Sequence, residues 1–155
     1  MRVHVGSDHA GFDLKTAVLS WLTDLAYEPV DHGPVSFDPD DDYPTYCLRA
    51  AEAVTADPDS LGIVLGGSGN GEQMAANKVA GVRAALAWSK ETARLAREHN
   101  DARVVAVGSR MHSTGEALRL VEVFLNTRFE ADPRHLRRLG LLSEYERSGA
   151  LPPLP

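Results

Sequence analysis

The sequence contains a single cysteine, Cys47, so no disulfide can form within the chain. No apolar run approaches the roughly 20 residues that a membrane-spanning helix needs, which excludes a membrane protein. The chain starts with a strand-like run, 1–6, rather than with the basic, apolar and small-residue regions of a secretory signal. We therefore expect a cytoplasmic protein in which Cys47, surrounded by small and apolar residues, packs in the core.

Basic residues are also fewer than acidic residues. The 16 lysines and arginines against 22 aspartates and glutamates give a formal net charge of -6. Nucleic acids are bound mainly by lysine and arginine side chains that neutralise phosphates, so we exclude a nucleic acid as partner. Basic residues nevertheless cluster near the C-terminus, at Arg134, His135, Arg137 and Arg138. This cluster indicates a small anionic ligand rather than a polymer.

The spacing of histidines and carboxylates matches no common zinc or iron site, so we predict neither a metal nor a cofactor. One acidic run, Asp38, Asp40, Asp41 and Asp42, precedes Tyr43-Pro44. Carboxylates clustered in a proline-rich turn are typical of a solvated loop, and no histidine has a spacing that matches them. We interpret the run as solvent-exposed rather than as a metal site.

Short β-branched runs alternate with segments of helical spacing. The predicted strands are 3–7, 29–31, 63–65, 82–87 and 104–107. The predicted helices are 12–25, 45–56, 72–78, 90–98, 114–126 and 133–148, the last with Asp132 as N-cap. This alternation predicts an α/β fold: one Rossmann-like three-layer domain over residues 1–149, with a five-stranded parallel sheet, helices on both faces and an extra C-terminal helix. Residues 150–155 are predicted to form a proline-rich extended tail.

The most informative segment is Gly66-Gly67-Ser68-Gly69-Asn70-Gly71-Glu72-Gln73, between a predicted strand and a predicted helix. Glycine permits positive φ and close approach of a ligand, so this loop is typical of an anion cradle, with a plain flexible turn as the alternative. The loop lacks the Lys-Ser/Thr ending of a P-loop and the acidic residue of a dinucleotide site. The helix dipole would lower the pKa of Glu72 and an apolar pocket would raise it, and the sequence leaves both open.

Polar residues also flank two other predicted strands. Ser7-Asp8-His9-Ala10-Gly11 follows the first strand, where open α/β sheets bind ligands, although Asp8 as a helix N-cap and His9 as a surface residue explain it equally well. His99-Asn100-Asp101 precedes the fifth strand, and Gly108-Ser109-Arg110 follows it. Alone, Asn100 as a helix C-cap with His99 as a nearby cation is an adequate interpretation. Arg134 and Arg138, four residues apart, share a helix face on which a phosphate would relieve their repulsion.

Together these segments resemble the type B ribose-5-phosphate isomerases, a family shared with galactose-6-phosphate and allose-6-phosphate isomerases. The resemblance runs from Met1 to about Tyr145 and includes Ala75-Ala76-Asn77-Lys78 after the glycine loop. It implies an aldose-ketose isomerase of the pentose phosphate pathway that interconverts ribose 5-phosphate and ribulose 5-phosphate through an enediolate, without a metal. The alternatives are a hexose-6-phosphate isomerase acting on allose or galactose 6-phosphate, and a sugar-phosphate-binding module that has lost its activity.

The resemblance also implies roles for individual residues. Glu72 is the base, His99 is the acid that opens the furanose ring, and Ser68 and Asp8 assist catalysis. The residues implied to bind the substrate are Asp8, His9, Gly67, Ser68, Gly69, Asn70, Gly71, Asn100, Arg110, Arg134 and Arg138. Some relatives carry a cysteine base at the position of Gly66, which leaves Glu72 as the base here. Arg103 and Leu136 stand where relatives often have asparagine and glutamine, so the substrate preference stays open.

Strand direction divides these residues into two groups. Asp8 and Glu72 follow strands, whereas His99 precedes one, so His99 lies at the opposite edge of the sheet. Strands of five or six residues separate the two edges by about 17 to 20 Å, too far for His99 to protonate a substrate held by Glu72 of the same chain. With the family resemblance, this separation predicts a two-fold homodimer, or a pair of such dimers, in which each active site is shared between chains.

Overall fold

Five runs rich in β-branched and small residues form one sheet in the computed structural model, which describes residues 1–154. The strands are β1 (Arg2–Ser7), β2 (Glu28–Asp31), β3 (Leu61–Gly66), β4 (Ala84–Leu86) and β5 (Val104–Gly108). Their order is β2-β1-β3-β5-β4, and every neighbouring pair is parallel. The predicted sheet is therefore confirmed. Strand β4 is shorter than predicted because it is an edge strand that pairs with β5 only from Ala84 to Leu86.

Six helices connect and follow the strands, and a short 3-10 turn (His9–Gly11) precedes the first of them. They are α1 (Phe12–Asp24), α2 (Tyr43–Ala56), α3 (Asn70–Ala76), α4 (Lys90–Asn100), α5 (Thr114–Asn126) and α6 (Pro133–Ser148). Asp132 caps α6 as predicted, because its carboxylate accepts the N-H of Arg134. The prediction of Asn100 as a C-cap is wrong: it is the last helical residue, and Asp101, in the left-handed region, caps α4.

The sheet is covered on both faces, each with its own apolar core. On one face, α1, α4 and α5 bury side chains such as Leu22 and Phe124 against Val5 and Ile63. On the other, α2 and α3 pack through small residues and Cys47. Cys47 is fully buried as predicted, and burial raises the pKa of its thiol. The central strand β3 is buried along its whole length, as expected for a parallel strand covered on both sides.

The order of the strands reverses between β1 and β3, because the chain continues from β1 to one side of the sheet and from β3 to the other. The loops after β1, β3 and β5 meet at this point. Gly11 lets the first loop close on β3, since a Cβ at Gly11 would lie 2.6 Å from the carbonyl oxygen of Leu65. The third loop binds the second through N-H bonds from Ser109 to Gly66 and from Arg110 to Gly67. Such a crevice is where open α/β sheets bind ligands.

The segment between β2 and α2 is anchored by Lys15 of α1. The buried Lys15 ammonium donates hydrogen bonds to both carboxylate oxygens of Asp31, at 2.8 and 2.7 Å, and to the carbonyl oxygen of Pro34. A lysine is rarely buried unless it is paired in this way. The bonds fix the start of the loop that carries the acidic run.

Helix α6 lies against α4 but leaves most of its surface uncovered. His135 is its one buried residue, and the His135 imidazole bonds the carbonyl oxygen of His99 at 3.0 Å. Residues 150–154 contain neither helix nor strand, and Pro155 of the predicted tail lies outside the described residues. Within residues 1–154, no helix has both the length and the hydropathy that crossing a bilayer requires.

Candidate active site

Asp8 and Glu72 flank the crevice between β1 and β3. The carboxylate of Asp8 accepts the N-H of Gly11 at 3.1 Å and so caps the 3-10 turn, whereas Gly11 is the N-cap of α1, so the N-cap interpretation holds for the turn and not for the helix itself. The capping leaves Asp8 in the crevice, where its negative charge acts on Glu72. The Asp8 side chain therefore caps the turn and also belongs to the candidate site.

The glycine loop is held closely by its neighbours. Gly69 has a φ of +84°, and a Cβ there would lie 2.6 Å from the Leu86 side chain. At Gly71 a Cβ would lie 2.8 Å from the ring of Tyr43. The Ser68 hydroxyl accepts the N-H of Asn70 at 3.3 Å. These contacts require glycine for packing as well as for φ, which a plain flexible turn does not.

Glu72 lies in the first turn of α3 and is only 4% exposed. Among the described residues, its Oε2 atom has no hydrogen-bond partner. Burial raises the pKa of the Glu72 carboxyl, as does the charge of Asp8, and these effects outweigh the backbone N-H groups of Glu72 and Gly69, which lower it. The sequence left open whether the helix N-terminus lowers the pKa of Glu72 or burial raises it, and burial has the stronger effect.

Gly66 lies directly against Glu72. A Cβ at position 66 would be 1.8 Å from Oε1 of Glu72, well inside any normal contact distance. A cysteine at this position is therefore incompatible with the observed placement of the Glu72 side chain. The absence of a side chain at Gly66 is what makes room for the carboxylate.

His99 and Arg134 lie at the other edge of the sheet. Strands β3 and β5 pair from Gly62 with Val104 to Gly66 with Gly108, which puts His99 before the amino ends and Glu72 after the carboxyl ends. A five-residue strand separates these edges by about 17 Å. Arg110, in contrast, lies beside Gly67 at the carboxyl edge. Glu72 and His99 of one chain thus lie at opposite edges, as strand direction predicts.

His135 connects the residues of this amino edge. Its ring packs against the ring of His99 with the centroids 4.3 Å apart, and Nε of Arg134 donates to its Nε2 at 2.9 Å. Arg138 and Asn100 are exposed nearby on α6 and α4. The sequence predicted His135 only as a member of the basic cluster and gave it no individual role, although its place beside Arg134 is a signal that could have suggested one.

Two further residues near the carboxyl edge were not predicted. Asp41 was expected to be solvated, and this is wrong: its side chain is 5% exposed, and Oδ1 accepts the backbone N-H of His9 at 2.8 Å and pairs with His9 Nδ1 at 2.9 Å. Tyr43 contacts Gly71. Asp38, Asp40 and Asp42 are exposed as expected. Only the path of the loop decides which aspartate turns inward.

Asp8, His9 and Asp41 bring three potential ligand atoms within 4.8 Å of one another. Two of the groups are already joined to each other, through the bond between His9 Nδ1 and Asp41 Oδ1. A cation could use these atoms only after that bond had broken. We therefore interpret the cluster as a hydrogen-bonded network.

The two departures from the family pattern lie away from the crevice. The Arg103 guanidinium donates to the carbonyl oxygens of Val54, Asp57 and Ser60, where it joins the end of α2 to the start of β3. Leu136 is half-exposed on α6. Arg103 is therefore structural at the amino edge of the sheet.

Known proteins resemble this chain in sequence and in fold. The sequence model of the family described as Ribose/Galactose Isomerase matches residues 3–142. A ribose-5-phosphate isomerase B of Mycolicibacterium paratuberculosis is 57% identical over 155 residues, which are 100% of this chain and 98% of the relative. The ribose-5-phosphate isomerase B of Mycoplasma genitalium, solved with bound ribulose-5-phosphate, superposes with a TM-score of 0.91 at 40% identity, covering 95% of this chain and 97% of that one.

The enzyme of the same name from Clostridium thermocellum superposes with a TM-score of 0.91 at 39% identity, over 97% of this chain and all of that one. Fold and sequence thus agree with these relatives along almost the whole length. The chain belongs to the ribose/galactose isomerase family.

Proposed function

We propose that this chain interconverts ribose 5-phosphate and ribulose 5-phosphate by metal-free proton transfer. The observation that carries this proposal is Glu72, a buried carboxylate with a raised pKa and an unpartnered oxygen, placed directly after the glycine loop. The names of the relatives and the ribulose-5-phosphate bound to the Mycoplasma genitalium enzyme support a pentose phosphate as substrate. Because bilayers retain charged sugar phosphates, we place the enzyme in the cytoplasm.

The reaction moves a proton from C2 to C1 through an enediolate. Glu72 removes the proton from C2 of the open-chain aldose and returns it to C1, while a proton passes from O2 to O1. The raised pKa of Glu72 makes its carboxylate a stronger base. In this mechanism Ser68 relays the hydroxyl proton, and backbone N-H groups of Gly67 to Gly71 stabilise the developing oxyanion.

Ring opening and phosphate binding require the residues of the amino edge. His99 is the proposed acid for ring opening, Asn100 holds the substrate, and Arg134 and Arg138 bind the phosphate together with His9 and Arg110. Because His99 lies about one strand length from Glu72 of the same chain, a second chain supplies it, and the active unit is a homodimer.

Exposed apolar side chains support this assembly. Helix α6 exposes Leu136, Leu141, Leu142 and Tyr145, and α2 and α3 expose Leu48 and Met74, which line a surface pocket together with Tyr43. Apolar groups gathered on one helix are typical of an interface. Docking α6 of one chain beside the crevice of the other would carry Arg134 and Arg138 to the substrate.

The activity is tested by kinetics on ribose 5-phosphate, allose 6-phosphate and galactose 6-phosphate, with each reaction repeated in heavy water. We expect the highest kcat/KM on ribose 5-phosphate, together with incorporation of solvent deuterium at the carbon that receives the proton. A higher kcat/KM on a hexose phosphate would favour the hexose-6-phosphate isomerase. Binding without exchange would identify a module that has lost its activity.

Replacing Arg134 or Arg138 with alanine should weaken substrate binding by about 1.5 to 3 kcal/mol, because each change removes a charged donor from the phosphate. Inhibition by inorganic phosphate should weaken in parallel. Both are measured as KM and as the phosphate inhibition constant, with Arg137→Ala as the control for the loss of one positive charge from the same helix. Unchanged phosphate inhibition in both variants would contradict the proposed phosphate site.

A further inference from the structure

Asp41 lies in an acidic loop but is bonded to His9. Its side chain is buried, and a single oxygen, Oδ1, receives both the backbone N-H and the ring Nδ1 of His9. The other oxygen, Oδ2, is buried without a hydrogen-bond partner among the described residues. Burying a carboxylate costs free energy unless it is paired, so the pairing with His9 is what compensates Asp41.

The bond fixes the chemical state of the His9 ring. Because Asp41 accepts at Nδ1, that nitrogen carries a proton, and Nε2 is left as the ring atom that can meet a ligand. The His9 side chain is 29% exposed, and the ring of Phe37 lies edge-on to it with the centroids 6.5 Å apart. The ring is therefore held on one side and open to solvent on another.

The charges around His9 favour its protonated form. The hydrogen bond that His9 donates to Asp41 raises the pKa of His9 and outweighs burial, which lowers it, and the charge of Asp8 adds a smaller increase. Tyr46 is a further titratable group beside Asp41, and burial, followed by the charge of Asp41, raises its pKa. Two carboxylates thus act on His9 from the loops before α1 and before α2.

We propose that Asp41 is a positioning residue that keeps His9 protonated at Nδ1 and directs its Nε2-H towards the phosphate group of the substrate. This inference rests on the proposed contact between His9 and the sugar phosphate. Asp41 itself touches no substrate. It acts by orienting His9 and by stabilising the imidazolium, which is a better donor to an anion than a neutral ring.

The first test needs no variant. In the wild-type protein without substrate, the nitrogen chemical shifts of His9 at high pH report which ring nitrogen carries the proton. We expect the Nδ1-H tautomer, in contrast to the Nε2-H form that predominates for free imidazole side chains. Observation of the Nε2-H tautomer would overturn the proposal, and this result does not depend on the folding of any variant.

The second test is Asp41→Asn, which keeps the shape of the side chain and removes its charge. His9 should titrate at lower pH than in the wild type. Near neutral pH, where fewer His9 rings are then protonated, KM for ribose 5-phosphate should rise roughly tenfold, the effect of losing about 1.4 kcal/mol, with little change in kcat. The difference in KM should vanish at acidic pH, where His9 is protonated in both proteins.

Asp40→Asn is the matched control, because Asp40 is an exposed neighbour in the same acidic run and loses the same charge. It should leave the His9 titration and KM unchanged. An increase in KM that is equal at every pH would overturn the proposal, since it would assign Asp41 only to the shape of the loop. Turnover of ribose 5-phosphate by the wild type is a separate readout, so failure of the proposed function and failure of the Asp41 role are distinguishable.

Discussion

Replacing Glu72 with glutamine should give a folded protein that binds sugar phosphate and turns it over at least ~10²-fold more slowly, the scale of a lost general base. Glutamine has the shape of glutamate but cannot accept the proton from C2. Helix α3 contains no other carboxylate that could replace it. KM should change little, because the phosphate is held by other residues.

The measurement is kcat and KM for ribose 5-phosphate, with thermal unfolding to confirm the fold. Glu91→Gln is a suitable control, since Glu91 lies in the first turn of α4 and is exposed. The wild-type rate should also rise with pH through the raised pKa of Glu72, because the base acts only when deprotonated, and the variant should lose this rise. Turnover at the wild-type level in a folded Glu72→Gln protein would remove Glu72 from the mechanism.

Mixing inactive Glu72→Gln with inactive His99→Ala should restore about one quarter of the wild-type activity. Each active site of the proposed dimer takes Glu72 from one chain and His99 from the other. A mixed dimer therefore contains one site with both substitutions and one site with neither. Random exchange makes about half of the dimers mixed, and half of the sites in those dimers are intact.

Chain exchange is followed by mass spectrometry of isotopically distinguished chains. In the control, Glu72→Gln is mixed with the double variant Glu72→Gln/His99→Ala, whose mixed dimers contain no intact site and should stay inactive. If exchange is complete and the first mixture also stays inactive, the active site is not shared. Recovery in the first mixture alone would locate His99 in the partner's site.

Much of the fold follows from patterns that are local in the chain. The alternation of β-branched runs with helical segments predicts all five strands and six helices, and α5 and α6 begin and end where predicted. Helix α3 is an exception, because it spans Asn70–Ala76 rather than 72–78. Its end is set by Asn77, whose side chain bonds the backbone of Ala84 and joins the helix to the edge strand that follows it in the chain.

The sequence predicted those parts of the candidate site whose residues lie together in one short motif. The glycine loop and Glu72 are contiguous, and strand direction alone places His99 at the opposite edge. Asp41 was missed because four aspartates in one loop are alike in sequence, and only the path of the chain past His9 turns one of them inward. The raised pKa of Glu72 was also beyond the sequence, since it depends on how tightly the crevice closes around the carboxylate.

The contact between Gly66 and Glu72 means that a change at position 66 affects the side chain at position 72. A side chain at position 66 can be accommodated only if the carboxylate at 72 leaves its present place, since the two would otherwise lie 1.8 Å apart. In this chain the residue at 66 and the position of the carboxylate at 72 are therefore coupled. A cysteine introduced at position 66 would displace the Glu72 side chain, so its effect on activity could not be attributed to the new thiol alone.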